Sequence, residues 1–236
     1  MSSAPTFLTP LRATVALTTI AVGLWVDQAF EVWGQIAVSL WVWGLYLWFA
    51  QRAAPADRRM MVKCLLIATV GEGICSLLWG LYDYRLYNIP PFVPPGHVLM
   101  LMAGMTLAQR LSLRYANALA LLALIGITGA MLLTHDWLSL PFLTLFGLLW
   151  IFSPAQRPVF AVMLLLALGL ELYGTWVGNW TWKPVAPWLE LSAHNPPFAS
   201  SVLYCLLDCL TLQVGVSRWR GWRLARKGAA SFEPIS

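Results

Sequence analysis

Charge is scarce in this chain: Asp, Glu, Lys and Arg together make 11% of its 236 residues, against about 25% in soluble proteins. Repeated apolar runs of near-spanning length leave little chain for an extramembrane core, so one membrane domain is the economical count. Nucleotide-driven and zincin chemistry lose their usual signatures, since no P-loop, Rossmann fingerprint, nucleophile elbow or His-Glu-x-x-His occurs. The four cysteines, Cys64, Cys75, Cys205 and Cys209, form no Cys-x-x-Cys pair and all fall in apolar segments. They read as small core residues rather than zinc ligands or a disulfide framework. The apolar run behind Arg12 is followed by Asp27, Phe30 and Glu31 instead of a small-x-small cleavage site, so it reads as a retained helix.

What is abundant is apolar sequence, 59% of the chain, in repeated runs approaching the ~20 residues a membrane crossing needs. In a bilayer the backbone must satisfy its own hydrogen bonds, so such runs are helices. The expected fold class is all-α, a polytopic membrane helix bundle of about eight transmembrane helices forming one domain over 1–236. The expected spans are Arg12–Val26, Trp33–Phe49, Met60–Tyr82, His97–Gln109, Tyr115–Leu133, Leu138–Phe152, Pro158–Val177 and Phe198–Val216.

Basic residues give the orientation, because cytoplasmic loops retain them. Arg12, Arg52, Arg58, Arg59, Lys63, Arg110, Arg114, Arg157 and the tail from Arg218 to Lys227 fall on one side, and only Arg85 and Lys183 on the other. A bacterial cytoplasmic (inner) membrane with both termini in the cytoplasm is the expectation. The tail, interleaved with Trp219 and Trp222, reads as an interfacial anchor, and the net charge of +5 needs no nucleic-acid partner. On the outer side, His135-Asp136-Trp137 reads as a polar turn.

The two long outer connections carry a common pattern. Glu72 is followed by Gly80, Tyr82, Tyr84, Arg85 and then His97; Glu171 is followed by Gly178, Trp180, Trp182, Lys183 and then His194. The glycine, aromatic and basic positions recur at one offset, 98 residues from Tyr82 to Trp180. A duplication into parallel halves, 12–110 and 114–218, follows from an even number of crossings in each half.

Three acids lie deep. Counting ~1.5 Å per residue, Glu72 sits roughly 15 Å below a helix end at Tyr82, Asp208 about as far below Phe198, and Glu171 roughly 10 Å below Gly178. An ionisable group at that depth costs on the order of 2.5–3.5 kcal/mol, so it faces the bundle interior and has a role. Helical spacing adds Ser76, Trp79 and Asp83 to the face of Glu72, Thr175 and Gly178 to that of Glu171, and Ser201, Tyr204, Thr211 and Gly215 to that of Asp208. One polar cavity open to the outer leaflet is expected. Interhelical hydrogen bonding between protonated carboxyls is the competing explanation.

Glu171-x-x-Gly174-x-x-x-Gly178-x-Trp180-x-Trp182 resembles a motif of membrane-embedded carotenoid hydratases, whose aromatic turn runs Phe-Gly-x-Tyr-x-Tyr; the second glycine of that turn has no counterpart here. Outside these twenty or so residues the chain looks like multi-pass bacterial membrane proteins with Phe-Val-Pro-Pro-Gly-His and Asn-Pro-Pro elements, as at Phe92–His97 and Asn195–Pro197. The resemblance implies acid-catalysed addition or isomerisation on an isoprenoid. Read from their depth, and for Asp83 from the face it shares with Glu72, the candidate catalytic carboxyls are Glu72, Glu171, Asp208 and Asp83. Trp79, Tyr82, Tyr84, His97, Trp180, Trp182, His194 and Tyr204 are candidates to hold the substrate, a membrane lipid or apolar small molecule, with no cofactor. A metal held by His97, His194 and Asp83 or Glu190, and a b-type haem, remain alternatives without supporting spacing. A proton-coupled carrier and a non-catalytic lipid-binding or assembly subunit are the rival classes.

Overall fold

The computed structural model describes residues 8–213; the cationic tail from Arg218 to Lys227, Gly215 and the end of the expected eighth span lie outside the described residues. Among the described residues there are eight α-helices: α1 (Pro10–Ala29), α2 (Glu31–Arg52), α3 (Pro55–Glu72), α4 (Val93–Ala108), α5 (Leu113–Thr134), α6 (Ser139–Phe152), α7 (Arg157–Val177) and α8 (Ser201–Gln213). Four stretches among the described residues, Glu31–Arg52, Pro55–Leu78, Leu113–Thr134 and Pro154–Val177, are long and apolar enough to cross a membrane. Their outward faces carry large apolar side chains such as Leu40, Trp41, Leu66, Leu122 and Ile125, a surface that water would not favour.

Proline and capping side chains explain several starts. Pro10 and Pro55 occupy first helical turns, where a missing N–H costs nothing. Thr9 and Ser112 accept hydrogen bonds from the N–H groups of Arg12 and Tyr115 and so cap α1 and α5. The turn His135-Asp136-Trp137, expected to be polar surface, is built around a buried bracket. Asp136 accepts from Ser139 Oγ at 2.6 Å and from the Phe198 N–H at 2.8 Å, and Ser139 Oγ accepts from the Ala199 N–H at 2.9 Å. The start of α6 is thereby tied to the approach to α8.

Helices α3, α4, α7 and α8 pack together at the centre, with α1 and α2 against α4 on one side, α5 against α7, and α6 against α8. The innermost element is α4: most of its residues, including Leu99, Leu101, Met102 and Ala103, are buried. Gly104 allows the thioether of Met163 to pack where a Cβ would stand only 2.3 Å from its sulfur, the close approach that small residues permit between helices.

The expected helix Met60–Tyr82 does not continue to Tyr82. After Glu72 the chain forms a π-helical turn, Gly73–Leu78, and then leaves the helix. Gly80 takes a left-handed conformation with φ 71°, and Gly178 does the same with φ 94° at the end of α7. Each glycine turns the chain into a short strand, β1 (Tyr82–Tyr84) and β2 (Trp180–Trp182), and the two pair antiparallel with Tyr82 opposite Trp182, Asp83 opposite Thr181 and Tyr84 opposite Trp180. Alternation along a strand sends the four aromatic rings inward and Asp83 and Thr181 outward. A second two-residue pair, β3 (Val185–Ala186) with β4 (Leu191–Ser192), lies in the connection to α8.

Candidate functional site

The inward rings of the strand pair end on the two glutamates. Glu72 Oε2 accepts from Tyr82 Oη at 2.8 Å and Tyr84 Oη at 2.7 Å, while its Oε1 meets His97 Nε2 at 2.9 Å. Glu171 Oε2 accepts from Trp180 Nε1 and Trp182 Nε1, each at 3.0 Å, and its Oε1 accepts from Tyr204 Oη at 2.9 Å. Each carboxyl therefore has two donors from its own strand on one oxygen and one partner from a neighbouring helix on the other. The imidazole of His97 stacks on the Tyr204 ring with centroids 4.8 Å apart, which joins the two clusters.

The spacing of the Glu171 motif has a physical reason at each position. Gly174 lies one turn above Glu171, and a Cβ there would come within 2.1 Å of Trp180 Cη2. Only glycine lets the indole lie against α7 and turn its N–H down to the carboxyl. Gly178 reverses the chain, and the alternation Trp180-x-Trp182 brings both indoles to the same side.

The hydrogen-bonding chemistry of the two sites differs. An indole N–H can only donate, so Glu171 Oε2 is a double acceptor and a proton on this carboxyl can reside only on Oε1. Tyr82 and Tyr84 are phenols kept in the O–H form, because burial raises them well above their ordinary range and the Glu72 carboxyl adds to the effect. The Glu72–His97 contact joins an oxygen and a ring nitrogen that share one proton in either direction. That contact is the place from which this cluster can release a proton.

Two cavities flank the clusters. One has walls from α1, α2, α4 and α7, including Gly23, Val42, Gly96, Met100 and Leu170. The other lies between α3 and α8, against Ile67, Gly71, Leu203 and Leu207. Glu72, Tyr82, His97, Glu171 and Tyr204 line both.

Of the twelve residues singled out by sequence, eight gather here: Glu72, Glu171, Tyr82, Tyr84, His97, Trp180, Trp182 and Tyr204. Four do not. Asp208, one turn beyond Tyr204 on α8, is buried near Cys64 and Cys205 and lines neither cavity, because the turn of α8 carries it past the carboxyl level. Asp83 faces outward from β1 and pairs with Lys183, both groups being partly exposed; the strand that replaces the expected helix end turns it away. Trp79 donates its N–H to the Pro187 carbonyl at 2.7 Å and stacks on Trp188. His194 donates from Nδ1 to the Pro196 carbonyl at 3.1 Å and stacks on Phe198.

Asp27, a buried carboxyl near the end of α1, is a member of this region that sequence reasoning missed. It accepts from Asn179 Nδ2 at 2.7 Å and pairs with Arg85 at 3.4 Å, and Arg85 also donates to the Asp27 carbonyl at 2.7 Å. Its signal was Arg85, one of only two cations on its side of the chain and in want of an acid. No group of three or more His, Cys, Asp or Glu side chains able to hold a metal occurs among the described residues.

No family model, curated protein or solved structure matches this chain.

Proposed function

We propose that this is a multi-pass protein of a bacterial cytoplasmic membrane that uses its paired carboxyls for acid–base chemistry on an apolar, isoprenoid-like lipid. The observation that carries the reading is the pairing of two buried, differently dressed glutamates between largely apolar cavities. Simple glue between helices would need each carboxyl only to bridge helices. Here Glu72 and Glu171 each commit one oxygen to rings of a dedicated strand, and both line space that a ligand can enter.

The chemistry follows from the proton inventory. The Glu72–His97 pair gives a proton to one carbon of an alkene, and the adjacent carbon becomes cationic. Rings of Tyr82, Tyr84, Trp180 and Tyr204 stabilise that charge through their faces, and Glu171, with three donors on its oxygens, opposes it as an anion. Loss of a neighbouring C–H proton to Glu171 Oε1 completes an isomerisation or cyclisation. Attack by water completes a hydration, and the proton water sheds restores the acid. The resemblance of the Glu171–Trp182 stretch to carotenoid hydratases points to the same class.

Eight crossings with both termini in the cytoplasm, and a duplication of the halves, belong to the same proposal. The register centred on Asp83 and Thr181, the packing of α3 on α8 and of α4 on α7, and the shared arrangement of two strand donors on one oxygen of each carboxyl and one helix partner on the other support a two-fold relation for the central helices. The outer helices depart from it, since α1 lies on α4 while α5 lies on α7.

The test begins with mass spectrometry of the lipids that leave with the purified protein, followed by turnover of that lipid. Glu72→Gln should keep the fold and lower turnover by roughly 10²–10⁴-fold, the usual worth of a general acid. Full activity in Glu72→Gln would sink the reading. Proton-linked uptake into vesicles without conversion would favour a carrier, and a retained lipid without turnover a binding subunit.

A further inference from the structure

The four central helices form a ring in which α3 and α7 each pack against both α4 and α8. Each cavity sits at one seam of that ring, the first between α4 and α7 and the second between α3 and α8. The two seams are finished differently. Over the first lies α1, tied to α7 by the Tyr173 hydroxyl, which donates to the Ala21 carbonyl at 3.1 Å, and to α2 by Trp41 Nε1, which donates to Thr19 Oγ1 at 3.3 Å. Over the second lies no such cover: among the described residues its lining comes from the central helices and their adjoining turns and strands, with nothing from α1, α2, α5 or α6. Helix α5, the counterpart of α1 under the proposed duplication, lies on α7 instead.

The uncovered seam is built as a slot. On α8, Leu203, Leu206, Leu207 and Leu210 recur at helical spacing and form one face, and opposite them α3 presents Ile67 and Gly71. These residues are half-buried except Leu210, which is 46% exposed. Gly71 leaves the gap open, because a Cβ there would find only Leu207 Cδ1, at 4.0 Å. Ile67 precedes Glu72 on α3 and Leu207 follows Tyr204 on α8, so the slot runs from the carboxyls away from the strand pair, toward the basic end of the bundle. At that end Lys63 Nζ bridges the two helices, donating to the carbonyls of Leu210 and, at 3.1 Å, Thr211. Glu72, His97, Glu171 and Tyr204 stand at the other end, beneath Tyr82 and Trp182 of the strands.

We propose that this slot is the lateral entrance by which the hydrocarbon chain of a membrane lipid reaches the two glutamates, from the inner-leaflet half of the bilayer in the orientation given above. The strand pair bars the outer approach and α1 bars the first seam. Walls of leucine and isoleucine favour a hydrocarbon chain and offer a polar solute no partner. The entrance rests on the acid–base reading for what the chain meets at its end, and it replaces the expected opening to the outer leaflet.

The probe is phosphatidylcholine with a diazirine at the end of one acyl chain, in vesicles of that lipid holding the full-length protein. On irradiation the diazirine loses N2 and the chain end esterifies a carboxyl within reach, which mass spectrometry of peptides locates. Glu72 and Glu171, 7% and 5% exposed, lie too deep for lipid packed around the bundle, so label on either reports a chain inside. The wild type should be labelled there. Gly71→Phe fills the slot and should lower that label by roughly tenfold or more, as exclusion from an overfilled contact requires. Gly96→Val, on the lining of the first cavity with open space around its Cβ, should leave it unchanged. Gly71→Val, with thermal melting of all three variants, keeps the comparison valid if the phenylalanine variant folds poorly. Label kept in a folded Gly71→Phe protein, or lost equally in Gly96→Val, overturns the slot as the entrance. So does a wild type without label on either glutamate, or one in which protein, a second copy or residues 214–236, shields 203–210 from the probe. Labelling needs no turnover, which separates the two ideas. A protein that labels through the slot but keeps full turnover in Glu72→Gln loses the acid–base reading alone, and one that loses turnover in Glu72→Gln yet never labels loses the slot alone.

Discussion

Gly174 sets how close the indole of Trp180 can come to α7. Replacing it by alanine would put a methyl within 2.1 Å of Trp180 Cη2, and neither the helix nor a ring held by its own N–H bond can yield that much. Gly174→Ala should lose about 1–3 kcal/mol of stability by overpacking, and with it the Trp180 bond to Glu171. A methyl on Gly169, also in α7, would meet nothing within 4 Å, so Gly169→Ala is the control and should be neutral or slightly stabilising. Thermal melting of the two variants side by side checks this, and equal behaviour would mean that Trp180 is not packed on Gly174. At this scale the Glu171 site was legible in the sequence, because a carboxyl in an apolar run demands an explanation and the glycine and tryptophan spacing supplied it. Asp208 met the same depth criterion and lies elsewhere. Depth says that a carboxyl is costly, and only the rotation of its helix says what it faces.

The strand pair is the element on which both carboxyls depend, and it is clamped from outside as well as from below. Asp27 holds Arg85, just beyond β1, and Asn179, just before β2, while the Arg85 N–H donates to the Asn179 carbonyl at 2.9 Å. One buried acid on α1 thus ties both strand ends to the bundle. Asp27→Ala leaves a guanidinium and an amide without their carboxylate, and thermal melting should show a loss of about 1–3 kcal/mol, the penalty of partners left unpaired. Asp83, two residues before Arg85, and Lys183, four residues after Asn179, pair on the outer face and are partly exposed. Such pairs are worth ~0–1 kcal/mol, so Asp83→Ala should change neither melting nor turnover appreciably. A large loss of activity in Asp83→Ala would restore it to the chemistry. The strands themselves were not legible in the sequence. Tyr82-Asp83-Tyr84 and Trp180-Thr181-Trp182 have the alternation of a strand, but three residues are too few to outweigh the helical reading of the apolar run before them. The π-helical turn at Gly73–Leu78, which ends that helix early, leaves no mark of its own in composition.

For the whole molecule, helix number and order were legible because proline, arginine and polar turns punctuate apolar runs, yet helix length alone does not give the count of crossings. Four stretches are long and apolar enough by themselves; α4, at 16 residues, covers only ~24 Å at 1.5 Å per residue, short of the ~30 Å hydrocarbon core. The packing supplies the reason a short helix suffices. Since α4 is surrounded by α1, α2, α3 and α7 and is almost wholly buried, its flanks meet protein rather than lipid. The requirement that a segment match the lipid applies to lipid-facing surface, and α4 has little. On these grounds α4 should cross, which fixes the sidedness of everything after it. Reporter fusions after Gln51, Gln109 and Gln156 should all read cytoplasm, and fusions after Tyr87 and Trp188 the opposite side. If α4 did not cross, Gln109 would report with Tyr87, and α5, α6 and α7 would each be inverted. Arg110, Arg114 and Arg157 would then lie outside against the positive-inside bias. A periplasmic reading at Gln109 would therefore refute the eight-crossing arrangement, and with it the placement of both glutamates beneath a single outer face.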